Sequence, residues 1–266
     1  MKKLLLALLP LTIAGCDSYY YTAGRFYDAR GKNFAAVENY EKFLKDRPSD
    51  PRAAEIHVRA GELYADLHRC LEAKRHFETA AREFPLAESW SDRAKGGIMD
   101  CPDYFPIDSG RTWIYGDSVS RGKNMRLDAE VRLSSGGAGG MIQTALYAGS
   151  KQIRSEEAEY KKAHWMVLQK SGEDWAPFLR YPFRKGESWH ARRDNADLFY
   201  TIVEDDARIK TVAGTFENCL KVREVNPKFK GSWKYDYYAP FVGRVATTIA
   251  GPGFENPNTE LIKFSR

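Results

Sequence analysis

Apolar positions recur with a helical period along the first hundred residues and with a strand period along the rest. The helical spacing predicts five segments, at about 18–30, 34–46, 52–66, 71–84 and 87–99. In the last of these, Leu86, Trp90, Ala94 and Ile98 share a face. Pro48 and Pro85 close the second and fourth, because proline lacks the donor and clashes with the preceding turn. After Cys101 the pattern shifts to Val, Ile, Thr and aromatics, and 103–110 reads as a turn-rich joint. Strands are predicted at 112–119, 125–134, 141–147, 152–160, 163–169, 177–181, 188–192, 198–204, 207–212, 217–224, 232–239, 242–249 and 259–265. From Met125 to Leu133 apolar and charged residues alternate strictly, so one face of that strand is buried and the other wet. Glu204-Asp205-Asp206 reads as a turn, and Gly214 and Gly243 as tight turns with positive φ. Gly136 to Gly140 reads as a loose hairpin loop. It lacks the Gly-Lys-Ser/Thr ending of a phosphate loop, and no helix pattern follows, so nucleotide binding is not expected.

The helical part repeats at an offset of 37 residues. Ala23 and Gly24 match Ala60 and Gly61, Tyr27 matches Tyr64, Ala36 matches Ala73, Tyr40 matches Phe77, and Pro48 matches Pro85. This order of small, aromatic, small, aromatic and proline resembles the tetratricopeptide repeat. The resemblance implies two helix pairs and a capping half-repeat, with Gly24 and Gly61 letting paired helices approach closely. The fold class expected is therefore α+β and multidomain: a short α-solenoid, then an antiparallel curved sheet or half-barrel. Carried over by register, the concave face of the repeats shows Tyr21, Arg25, Asp28, Glu55, Val58, Glu62 and Asp66, which reads either as a groove for a peptide or partner helix or as a helix face that is solvated or covered by the chain's own second domain.

The N-terminus reads as an address. Lys2 and Lys3 precede an apolar run from Leu4 to Ile13, too short to span a bilayer comfortably. The run ends in Ile13-Ala14-Gly15-Cys16, which resembles the lipobox of bacterial lipoproteins. That resemblance implies cleavage before Cys16 and lipid on its thiol. Several acyl chains on one residue hold durably, since each buried methylene contributes about 0.8 kcal/mol. The expected location is the bacterial cell envelope, membrane-anchored and facing the periplasm. Asp17 resembles the signal that keeps enterobacterial lipoproteins on the inner membrane. The divisions are 1–15 signal peptide, 16–101 helical repeats and 102–266 β-rich domain.

Of the four cysteines, Cys16 goes to lipid. In an up-down stack, Cys70 between the helices of the second repeat and Cys101 at the end of the cap lie at the same end. A Cys70–Cys101 disulfide is expected in an exported, oxidising setting. Cys219 is then left over, on a strand, buried and inert. His68, Cys70 and His76 match no zinc spacing, and no metal or cofactor is expected.

The chain has 266 residues, 43% hydrophobic and 29% charged, with a mean hydropathy of −0.55. That composition is globular and excludes a multi-span membrane protein. The net charge of +5 is thin over this length and makes no case for nucleic acid. His164 and His190 neighbour no nucleophile motif, and neither Gly-x-Ser-x-Gly nor His-Glu-x-x-His occurs, so an enzyme is not expected. Tyr104-Phe105-Pro106 through Trp113-Ile114-Tyr115, Ala213-Gly214-Thr215-Phe216 with Asn218-Cys219-Leu220, and Tyr238-Ala239-Pro240 with Val242-Gly243 resemble a family of uncharacterised bacterial envelope domains. The resemblance implies a curved antiparallel sheet and brings no activity. Two functions remain: an interaction scaffold that holds a protein or peptide in the repeats, or a carrier or sensor of an apolar ligand such as a lipid or glycan. For the second, Trp113, Trp165, Trp175, Trp189 and Trp233 would enclose the ligand, although core packing is the better account of them.

Overall fold

The structure is a computed structural model that describes residues 17–134, 138–193 and 195–265. Cys16 and Gly136–Gly137 lie outside the described residues. The helical period resolves into α1 (Asp17–Asp28), α2 (Asn33–Asp46), α3 (Ala53–Asp66), α4 (Cys70–Glu83) and α5 (Glu88–Gly97). These lie within a few residues of the predicted spans. A Cβ at Gly24 would stand 2.5 Å from the Tyr40 ring, and one at Gly61 2.7 Å from the Phe77 ring. The two matched glycines therefore seat the two matched aromatics. Tyr40, Phe43, Ile56 and Phe77 are fully buried between the helices.

The rest of the chain forms β1 (Thr112–Asp117), β2 (Met125–Ser134), β3 (Gly139–Ala148), β4 (Lys151–Ala163), β5 (Met166–Ser171) and β6 (Asp174–Arg180). It continues as β7 (Ser188–Arg193), β8 (Ala196–Thr211), β9 (Gly214–Val225), β10 (Trp233–Ala239), β11 (Gly243–Gly251) and β12 (Phe254–Ser265). All twelve belong to one antiparallel sheet in the order β6-β5-β4-β3-β2-β1-β12-β11-β10-β9-β8-β7. The chain steps outward from β1 to β6, moves to the far edge at β7, and steps back until β12 pairs with β1. The edge strands β6 and β7 approach each other without pairing, so the sheet curls into a nearly closed barrel.

The expected fold class is corrected accordingly. The protein is mostly β, a twelve-stranded, nearly closed antiparallel barrel with five short helices, and not an α-solenoid followed by a half-barrel. Two physical reasons account for the difference. Five helices are too few to cover their own apolar faces, and the last is covered by the sheet instead of by another repeat. One continuous core holds Phe43, Ile56 and Phe77 of the helices together with Val167, Leu179, Trp189 and Tyr200 of the strands. The second reason is β8. Predicted as two strands split at Glu204-Asp205-Asp206, it is one 16-residue strand. Its register against β9 shifts between Ile202 and Glu204, between Glu204 and Ala207, and between Ala207 and Ile209. The acidic triplet is a bulged bend, and such bends curl a sheet toward closure. Asp205 also accepts the Lys185 N–H, which fixes the loop before β7. Gly214 and Gly243 have φ of 144° and 95°, as their turns require.

Helices and barrel meet at a seam. A Cβ at Gly96 would lie 2.8 Å from the Lys162 carbonyl oxygen, so α5 approaches β4 backbone to backbone. The Trp165 N–H donates to the Lys95 carbonyl at 3.0 Å. The buried Lys162 ammonium donates to Asp100 at 2.6 Å and Asp103 at 2.8 Å. Between those carboxylates, Cys101 is bonded to Cys70, with Cα atoms 4.9 Å apart. The Phe241 N–H donates to the Asp103 carbonyl, and the Phe241 ring meets His68 edge-on at 4.7 Å.

Candidate functional site

The seven residues expected to line a groove fall on α1 and α3, and most of them are engaged by hydrogen bonds or ion pairs within the helices. Arg25 donates to Tyr21 and to Glu55, both at 3.2 Å. Arg59, which the repeat register did not single out, pairs with Asp28 at 2.7 Å and with Glu62. Arg93 of α5 reaches the same Glu62. Val58 is buried in the helical core, and Asp66 is exposed, with partial desolvation of its carboxyl raising its pKa. This face is an ion-pair ladder across α1, α3 and α5, and its charges are largely answered from within. The sequence held a signal for part of it, since Arg59 and Glu62 stand three apart on one helix face.

A second network lies between α2, α3 and α4. The Nδ1 atoms of His57 and His76 are 2.9 Å apart, and His76 Nε2 is 3.0 Å from Glu41. The pattern is satisfied if His57 Nδ1–H donates to His76 Nδ1 and His76 Nε2–H donates to the carboxylate. Tyr64 and Arg75 also donate to Glu41. Burial, helped by the neighbouring His76, pushes His57 down to about 4. The hydrogen bond from His76 pulls Glu41 down to about 2. Both shifts make the fold acid-labile. An unfolded histidine titrates near 6.5, so His57 contributes stability above that pH and loses it as pH falls toward 4. We expect the unfolding free energy, read from urea titrations, to fall over that window by about 2 kcal/mol after allowing for the partial exposure of His57. The loss continues below 4.5 as Glu41 protonates. A His57→Gln variant should flatten the limb between 6.5 and 4, and an unchanged limb would assign the loss to other groups.

The barrel interior is filled. Tyr200 and Arg193 converge on Glu224, at 2.9 and 3.3 Å. Lys234 bridges Glu224 and Asp236, at 3.2 and 2.9 Å. The Thr247 hydroxyl donates to the buried Asp236. Burial opposes the charge on Asp236, but Lys234 and Arg244 outweigh it and hold its pKa below the usual range. Trp113 is core, with its indole N–H on the Val242 carbonyl. What space remains, among Trp113, Tyr115, Leu127, Ile142, Tyr160, Phe178, Tyr238 and Arg244, is about 100 Å³. Sites for small organic ligands usually begin near 300 Å³.

Several larger concavities lie on the outside, and one of them is where α4 faces the segment 181–184 between β6 and β7. It is a groove of about 460 Å³. Leu71, Lys74, Arg75, Glu78, Thr79, Arg82 and Glu83 recur along one side of α4, and Tyr181, Pro182, Phe183 and Arg184 form the opposite wall. The Tyr181 hydroxyl donates to Glu78 at 2.7 Å, which fixes the two walls together. Arg75 is paired with Glu41. Lys74, Arg82 and Arg184 form no ion pair among the described residues. Lys74 is half-buried, and burial, only partly offset by Glu78, lowers its pKa. Leu71, at the end of the groove, is 82% exposed. An apolar side chain on the wet side of α4 was the only mark of this groove in the sequence, because its second wall comes from more than a hundred residues away.

Cys219 is free and buried, and burial raises its thiol to about 11. Among the described residues no group of three or more His, Cys, Asp or Glu is placed to hold a metal, and no helix is long and apolar enough to cross a membrane.

No family model and no curated protein matches the chain. Among solved structures it is similar to a candidate exported protein of Bacteroides fragilis with a YmcC-like fold. That match has 15% identity and a TM-score of 0.43, and covers 61% of this chain and 98% of that one. It is also similar to a candidate lipoprotein of Parabacteroides distasonis, at 16% identity and a TM-score of 0.41, again covering 61% and 98%.

Proposed function

We propose that the protein is a cell-envelope lipoprotein, tethered through lipid on Cys16, that binds an acidic segment of a protein partner in the groove between α4 and 181–184. The tether rests on the basic start, short apolar run and Ile13-Ala14-Gly15-Cys16 of the sequence. The binding reading rests on one observation: a groove holding three cations that form no ion pair among the described residues, one of them, Lys74, half-buried with only the Tyr181 ring 6.0 Å away and Glu78 partly offsetting its desolvation. Leaving a lysine partly desolvated and unpaired is costly unless a ligand answers it. The shape favours a chain over a compact ion. From Leu71 to Glu83 the helix rises about 18 Å, the span of five or six extended residues. Exposed Leu71 offers an apolar contact at one end. The ion-pair ladder on α1, α3 and α5 serves the fold, and the small barrel cavity gives the apolar-ligand reading no comparable support.

The test is site-specific photo-crosslinking in cells. A photoreactive residue replacing Thr79, in the groove, should give one discrete adduct, and one replacing the exposed Leu86 should give none. Reversing two of the charges, Lys74→Glu with Arg184→Glu, should reduce the adduct by about tenfold or more. No adduct at Thr79, or one indifferent to charge reversal, would overturn the reading.

A further inference from the structure

The outer side of α1 is exposed to solvent along its length. Tyr19, Thr22, Phe26, Ala29 and Arg30 are exposed, and their spacing puts them on one stripe running from the first turn of α1 to just past its end. Tyr19 is 64% and Phe26 49% exposed, two large aromatics seven residues apart and so nearly superimposed along the helix. The Arg30 guanidinium sits 3.5 Å over the Phe26 ring. No acidic residue interrupts the stripe: Asp28 turns the other way, to Arg59 and the Tyr40 hydroxyl. Beyond the stripe, Lys32 and Phe34 are also exposed at the turn into α2. Tyrosine, phenylalanine and arginine on one helix face form the side-chain set that favours the boundary between lipid headgroups and acyl chains.

We propose that this stripe of α1 lies flat on an anionic phospholipid surface, so that the lipid tether and the helix together fix how the protein stands on the membrane. The inference rests on the proposed acylation of Cys16, one residue before α1. A tether at that point brings the first turn to the bilayer in any case. What it leaves open is whether the helix stands or lies. Standing upright, α1 would lift Phe26 about 10 Å above Tyr19 and leave its ring in water. Lying down, it places both aromatics in the interface, with Arg30 among the phosphates. Tyr19 in the first turn, Phe26 in the last and Arg30 just past the end share one line, which is the pattern of the second arrangement.

The experiment uses the full-length, membrane-extracted protein in vesicles of phosphatidylcholine and phosphatidylglycerol. A nitroxide is attached at Phe26→Cys, and separately at Leu86→Cys as the water reference. Cys219 is buried, Cys70 and Cys101 are bonded to each other, and acylation would occupy the Cys16 thiol, so in acylated protein labelling is confined to the new thiol. Mass spectrometry of the N-terminal peptide reads acylation of Cys16 on the same samples. We expect the label at 26 to be accessible to oxygen and protected from a water-soluble nickel complex, and the label at 86 to show the reverse. Phosphatidylcholine alone should weaken the protection at 26. If Cys16 carries acyl chains and position 26 is as open to nickel as position 86, the inference fails and the tether stands. If Cys16 carries none, the tether reading fails and takes the inference with it.

Discussion

Replacing Lys162 by methionine is expected to destabilise the protein by about 3 kcal/mol, at the lower end of the 3–5 typical for breaking a buried ion pair. The ammonium is almost wholly buried, yet it keeps its proton. Burial works against the charge, and Asp103 and Asp100 together outweigh it, raising its pKa above the usual lysine value. Methionine fills most of the volume but leaves the carboxylates unanswered. They do not suffer equally. The Asp100 side chain is 43% exposed and can turn to water, whereas that of Asp103 is 13% exposed and remains enclosed. The cost therefore comes chiefly from Asp103, which is why the lower figure is expected.

The same account makes a second claim that separates charge from shape. Asp103 Oδ1 also accepts the Phe105 N–H at 2.9 Å, and asparagine keeps that acceptor. Adding Asp103→Asn to Lys162→Met should recover at least half of the loss, measured as the shift in urea midpoint. If the double variant is no more stable than the single one, Lys162 acts by packing α5 against β4 and not by neutralising Asp103.

How far the sequence revealed this molecule depends on how local each signal was. The five helices were legible because their period, their prolines and the glycine–aromatic matches at Gly24/Tyr40 and Gly61/Phe77 lie within one repeat. The disulfide was legible because an up-down path alone brings Cys70 and Cys101 to one end. Closure of the barrel was not. It depends on β12 pairing with β1 across 140 or so residues of chain and on bulges whose residues, such as Glu204-Asp205-Asp206, look like a turn when read locally. The resemblance to helical repeats left the face of α1 and α3 open between a groove and an ordinary helix surface, and it gave no sign that Arg59 and Arg93 cross-link it. The groove on α4 was missed for the opposite reason: one of its walls is helical and regular, but the other is the loop 181–184, which no periodicity marks.

Removing the disulfide with Cys70→Ala and Cys101→Ala is expected to lower stability by about 4 kcal/mol, the loop-closure value for a sequence separation of 31 residues. The loop encloses α4 and nearly everything up to the seam, so opening it frees in the unfolded chain the elements that must dock on β4. Alanine is the right substitute because Cys101 is fully buried and a serine hydroxyl there would add its own penalty. The bond has a second effect that loop entropy does not include. Cys101 lies between Asp100 and Asp103, so the bridge to α4 also holds both carboxylates against Lys162. The two losses should therefore not add. With the disulfide removed, Lys162→Met should cost clearly less than it does in the intact protein, because the carboxylates it abandons are free to move toward water. Strict additivity of the midpoint shifts would show that the bridge and the ion triad stabilise the seam independently, and a disulfide loss below about 1 kcal/mol would show that the loop is already constrained in the unfolded chain.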